Sequence, residues 1–151
     1  MRYSICFLLT SCLCVVCSTE VPAEMTEKEI QTEIADNIAG EYIDCGVYFN
    51  LVYEGAEKAG RMELAKQYSA LVDHCYGSAY MLIKSNRDEE MASKVSTSLV
   101  SMRNTFLRDE IGNNLSNLSV LSNKYMDRCI NIVKDPTDMM ESWAQKIRSK
   151  Y

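Results

Sequence analysis

The only histidine of the chain, His74, stands between Asp73 and Cys75. A carboxylate, an imidazole and a thiol in a row suggest two chemistries, a cysteine nucleophile served by a base or a metal site. Helical spacing argues against both. Successive residues on a helix project about 100° apart, so the three cannot converge on one ion or one reacting atom. No second histidine is present to complete a ligand set. The expectation is a structural thiol at Cys75, with no catalytic residue, no metal and no cofactor. The carboxylates of inner helices, Asp44 and Asp73, show no spacing that pairs them for acid–base work. Aromatic residues form a second group. Tyr42, Tyr48, Tyr53, Tyr68, Tyr76 and Tyr80 crowd one stretch of 39 residues. Rings with polar tips either fill the wedge between helices or line a ligand cleft. Packing is the commoner use; as a ligand or partner face the candidates are Tyr42, Tyr48, Tyr53, Tyr76 and Tyr80, together with Trp143.

The elements that must position these residues read as helices. Beyond residue 25 there is no hairpin dipeptide and no sustained period-two alternation. Thr26 followed by Glu29 is a capping box. Ile30, Ile34, Ile38, Tyr42, Cys45, Phe49, Val52 and Ala56 then recur at steps of three and four, a single apolar stripe. Gly40 and Gly46 interrupt this helix, and Gly60 ends it. A second helix over about 61–84 turns Leu64, Tyr68, Leu71, Cys75, Ala79 and Leu82 inward. Ser85-Asn86 supplies a turn and N-cap, and Asp88, Glu89 and Glu90 lie in the first turn of the third helix. That helix carries Met91, Val95, Leu99, Met102 and Phe106 inward and breaks at Gly112-Asn113-Asn114. The fourth places Leu118, Leu121, Tyr125, Cys129 and Ile132 on one face. Asp135-Pro136 opens a short last helix with Met140, Trp143 and Ile147 on one side. Four long helices with short connections predict an all-α, antiparallel up-down four-helix bundle with a short C-terminal fifth helix.

The cysteines acquire meaning inside that frame. Cys45 lies 15 residues before Gly60 and Cys75 lies 15 after it, while Cys129 lies 16 after Asn113 at the same end of the bundle. At about 1.5 Å rise per residue, all three sit at one height. Helices two and four are diagonal in such a bundle, so a Cys75–Cys129 bond is too long to form. Cys45 is the shared partner, and its mate is Cys75 or Cys129; the spacing does not choose.

The run Asp44-Cys45-Gly46-Val47-Tyr48-Phe49, then Lys124-Tyr125 and Cys129, then Asp135-Pro136 and Trp143, resembles small exported helical proteins of proteobacteria and their phages, families without an assigned activity. The resemblance implies a disulfide between Cys45 and Cys129 and leaves Cys75 as a departure from the pattern.

The first two dozen residues read as a secretory signal. Arg2 supplies the positive start, and Ile5–Val16 is an apolar run too short for the roughly 20 residues of a membrane span. Cleavage fits after Ser18 or, better, after Ala23, giving a signal peptide over 1–23 and one domain over 24–151. Four of the seven cysteines (Cys6, Cys12, Cys14, Cys17) fall in the discarded part. The expected product is secreted or periplasmic, where disulfides persist, with no membrane span in the mature chain.

A formal charge of −5 and a pI near 4.9 exclude a protein that grips phosphate backbones, so no nucleic-acid partner is expected. Glu57, Lys58, Arg61, Glu63 and Lys66 form a mixed, solvated rim at the first hairpin tip. Asn114-Leu115-Ser116 and Asn117-Leu118-Ser119 match glycosylation acceptors in a eukaryotic source and are ordinary helix-start residues in a bacterial one. The leading expectation is a non-enzymatic protein that binds or modulates an envelope protein, basic by charge complementarity. The alternative is a small-ligand carrier with its cleft between the tyrosine-rich helices.

Overall fold

A computed structural model describes residues 25–151. The proposed signal peptide over 1–23 and its four cysteines lie outside the described residues. Within them the chain is helical and without strands: α1 (Glu27–Lys58), α2 (Met62–Lys84), α3 (Glu89–Glu110), α4 (Leu118–Lys134) and α5 (Thr137–Arg148), with one 3-10 turn at Leu115–Asn117 before α4.

Local chemistry sets these boundaries. The Thr26 hydroxyl accepts from the Glu29 amide, and the Glu29 carboxylate accepts from the Thr26 amide at 2.8 Å, the reciprocal capping box expected at the start of α1. Gly60, at φ 71°, turns the chain from α1 into α2 through a left-handed conformation that suits a residue without Cβ. Gly112 (φ 59°) and Asn113 (φ 56°) do the same after α3. The N-cap of α3 is Asp88, whose carboxylate accepts from the Met91 amide at 2.8 Å, rather than Asn86 two residues earlier. Asp135 accepts from the Thr137 amide at 3.0 Å and so closes the start of α5.

α1 is the spine of the fold and packs against α2, α3, α4 and α5. Its contact with α3 departs from a square of four equivalent helices, where α1 and α3 would stand at opposite corners. The cause is the composition of α1. From Tyr42 to Phe49 every residue except Asp44 is buried, so this stretch is apolar on all sides and requires neighbours all round. Cys45 and Cys129 are joined by a disulfide, with Cα atoms 5.3 Å apart, stapling the middle of α1 to α4. Cys75 is free and buried in the same layer; a Cβ added at Gly46 would meet the Cys75 Cβ at 3.2 Å.

The expected inward faces hold for α1 and α4 and only in part for α3, where Val95 and Leu99 pack against the core. Met91, Met102 and Phe106 are exposed by 49%, 57% and 47%. The core of α3 is instead Ala92 and Leu107, with Ile111 just beyond its end. Ala92 and Leu107 each follow one of the expected residues by one position, a rotation of about 100°. Met91, Met102 and Phe106 are left outside. In α5, Ile147 is buried and Trp143 half-buried as expected. Met140 is exposed, and Met139 packs against the core in its place.

Candidate functional site

The disulfide places two charged residues together, because each cysteine is preceded by one: Asp44-Cys45 on α1 and Arg128-Cys129 on α4. Glu41 lies one helical turn before Asp44 and on the same side. Arg128 pairs with Glu41 and lies 3.9 Å from Asp44. From α3, the Arg103 Nε stands 2.7 Å from the other Asp44 oxygen, close enough for charge pairing but without the alignment of a hydrogen bond. Burial pushes the Asp44 carboxyl above its ordinary range, opposed by the charges of Arg103 and Lys124. Burial likewise pushes the Arg128 guanidinium below its usual value. Two carboxylates and two guanidiniums thus form one partly buried network across three helices, in which each charge is held by its opposite.

Glu41 and Arg128 of this network line a cleft of about 440 Å³ between α1, α4 and α5, open to solvent. Asp135 and the α5 residues Asp138, Trp143 and Lys146 line it. Trp143 is half-buried, and its Nε1–H donates to Glu41 Oε1 at 3.3 Å, fixing the indole plane. The Lys146 ammonium sits 4.2 Å from the indole centroid, a cation–π contact that stacks charge on the ring. A flat aromatic wall, acidic groups at one side and fixed cations at the other can hold a charged side chain or a small ligand of mixed charge.

The tyrosines of the candidate face do not form one cleft. Tyr42 and Tyr48 are core residues. Tyr42 meets His74 edge-on at 6.3 Å, and Tyr48 stacks on Tyr125 at 5.9 Å with its hydroxyl 3.2 Å from Ser122. Neither can receive a ligand. Tyr53 donates to Glu57 at 3.1 Å on the surface, and Tyr80 lies below the Lys84 ammonium at 5.8 Å. Tyr76 alone lines a groove, of about 470 Å³, with Asn50, Ser96, Val100 and Asn104. Its ring lies against Gly46, where a Cβ would come within 2.5 Å of it.

Asp73 and His74 are exposed while Cys75 points into the core, as successive helical positions require. Burial pushes the Cys75 thiol up to about 12. Among the described residues no group of three His, Cys, Asp or Glu side chains is placed to hold a metal ion, and no helix is long and apolar enough to cross a membrane. Glu57, Lys58, Arg61, Glu63 and Lys66 are all exposed. The Asn114 side chain accepts from the Ser116 amide, and Asn117 donates to the Ile111 carbonyl, so both shape the turn into α4.

Sequence reasoning identified Trp143 and missed Glu41, Arg128 and Lys146. The available signal was the charge preceding each bonded cysteine. Comparison with protein-family models, with curated proteins and with solved structures finds no match to this chain.

Proposed function

We propose that the protein is an exported, non-enzymatic binding protein that acts on a basic protein of the cell envelope, its long helices alternating in direction as an antiparallel bundle. The cleft between α1, α4 and α5 carries this reading. It opens to solvent, is lined by Asp135, Asp138 and Trp143, and includes the already paired Glu41 and Arg128. A partner's lysine or arginine would meet the two aspartates and take the place on the indole that Lys146 holds in the free protein, while the chain's net charge of −5 steers the encounter. Export is supported by Arg2 and the apolar Ile5–Val16 run, together with a Cys45–Cys129 bond of the kind that persists in oxidising compartments.

A second reading, a carrier of a small ligand, is favoured by one observation, the groove beneath Tyr76 with its amide and hydroxyl lining. One experiment separates the two. The full chain is expressed with its native start, recovered from the periplasm, and analysed by mass spectrometry for its N-terminus and for what it retains. The expected result is loss of the first 17 to 23 residues, a stoichiometric protein partner, and loss of that partner in Asp138→Lys. Trp143 is the only tryptophan, so its emission should shift when the partner is added. A retained small molecule without a protein supports the carrier. An intact N-terminus in the cytoplasm overturns export.

A further inference from the structure

We propose that α3 pairs with α3 of a second copy of this chain, antiparallel, about a two-fold axis that passes between Ser98 and Leu99. At about 100° per residue, Met91, Val95, Met102 and Phe106 fall within about 60° of arc on α3. Three of these four are among the exposed large apolar side chains, and Val95 lies half-buried at the edge of the core. Their numbers are symmetric about the middle of the helix. In an antiparallel pair with Ser98 opposite Leu99 of the other copy, Met91 faces Phe106 and Val95 faces Met102, and each contact occurs twice. An isologous interface requires this property of a single surface. The Met91–Phe106 pairing also sets a thioether against an aromatic ring, a favourable contact in its own right.

The helix ends beside the seam are largely self-complementary in charge in the same register. Asp88, Glu89 and Glu90 open α3, and the Glu89 and Glu90 side chains are each 79% exposed. At the other end, Arg103 and the 53%-exposed Lys124 stand 5.9 and 5.8 Å from the Phe106 ring. Placing Phe106 on Met91 of the second copy brings this basic pair to the acidic first turn, and brings the positive end of one helix dipole to the negative end of the other. The register brings two like-charged pairs near each other: Lys94 with Arg103, held at home by Glu90 at 2.6 Å and Asp44 at 2.7 Å, and Asp88 with Asp109, whose carboxylates accept at home from the Met91 amide at 2.8 Å and the Asn113 side chain at 3.4 Å. One helix of 22 residues a side buries less than the roughly 1,200 Å² at which stable interfaces begin. The pair is therefore a weak, concentration-dependent dimer. It uses a face separate from the Trp143 cleft and stands or falls independently of the partner proposed for that cleft.

Sedimentation equilibrium of the full mature chain tests this. The expected result is reversible dimerisation that strengthens at low salt and weakens at least tenfold in Phe106→Glu and in Lys124→Glu. The double variant Glu89→Lys with Lys124→Glu restores the complementarity and should recover most of that loss. Cross-linking provides a second measurement that does not depend on those variants. Ser98→Cys should yield a covalent dimer with a short bis-maleimide, and Ser93→Cys, off the seam, should not. A monomer at every accessible concentration, equal cross-linking at both positions, or no rescue by the double variant would overturn the proposal.

Discussion

α1 and α3 lie against each other and use their residues in opposite ways. α1 buries twelve side chains or glycines along 32 residues, whereas α3 buries two along 22. α1 is apolar around its whole middle, and Gly46 lets the α2 residues Tyr76 and Cys75 approach its backbone. α3 carries serine and threonine through much of its length, buries Ala92 and Leu107, meets α1 through the Arg103–Asp44 and Arg108–Glu54 ion pairs, and turns Met91, Met102 and Phe106 outward. One helix is the centre of the fold; the other is a covering whose outer face is free for other work. Burial, rather than helical propensity, distinguishes them.

The largest expected effect concerns the staple at the centre of α1. Cys45→Ala with Cys129→Ala opens a loop of 84 residues and should cost about 4–5 kcal/mol in the chain-entropy account, read as a fall in the urea midpoint. Truncation of side chains should separate the two helices next. Phe49→Ala removes a fully buried ring from α1 and should cost about 3–5 kcal/mol. Met102→Ala on α3 should stay within about 0.5 kcal/mol in dilute solution. Comparable losses at the two sites would break the contrast.

The two glycines of α1 sharpen it further. At Gly46 a new Cβ meets the Tyr76 ring at 2.5 Å, so Gly46→Ala should destabilise by about 1–3 kcal/mol. At Gly40 nothing lies within 4 Å of that position, and Gly40→Ala should stabilise by about 0.5–1 kcal/mol through helix propensity alone.

The last test is a dependence on pH at the α1–α2 contact. Burial raises the Cys75 thiol from an ordinary value of 9.0 to about 12, and burial with the nearby charges of Cys75 and Glu54 raises Tyr76 from 10.0 to about 12. Both groups hold their protons more tightly in the fold than in the unfolded chain. Stability from this source is complete below the unfolded values and is lost as pH rises from about 9 to about 12. The urea midpoint should be flat from pH 7 to 8 as far as these groups contribute, and should fall by pH 10.5. Alkylation of Cys75 at pH 8 should require denaturant.

Much of the fold was legible because caps and strong periodicity are local. Thr26 with Glu29, Gly60, and the Leu121–Tyr125–Cys129–Ile132 face of α4 each specify their own structure. α3 was misread for a physical reason. Sequence periodicity weights bulk, and three bulky members of the stripe, Met91, Met102 and Phe106, lie outside, while Ala92 and Leu107, each one position further on, are buried. The candidate site was less legible still. Glu41, Arg128 and Lys146 come from three helices, and only tertiary placement brings them to Trp143. The pairing of Cys45 with Cys129 was open from spacing alone, since Cys75 lies in the same layer and on an adjacent helix.

The disulfide also divides the chain by how it would carry load. Residues 45–129 form a covalent ring, and the segments before and after it are two arms. The arms clasp each other outside the ring, through Trp143 to Glu41, Arg148 to Glu27 at 3.0 Å and Lys150 to Glu33 at 2.8 Å. A pull on the two ends would peel these contacts apart one after another and then act on the sulfur–sulfur bond directly. α2 and α3 would be bypassed by the force and would stay folded until the bond was reduced. In extension the oxidised molecule should behave as a short tether around an unstretched loop, and reduction should release the length of the ring in a second, separate step.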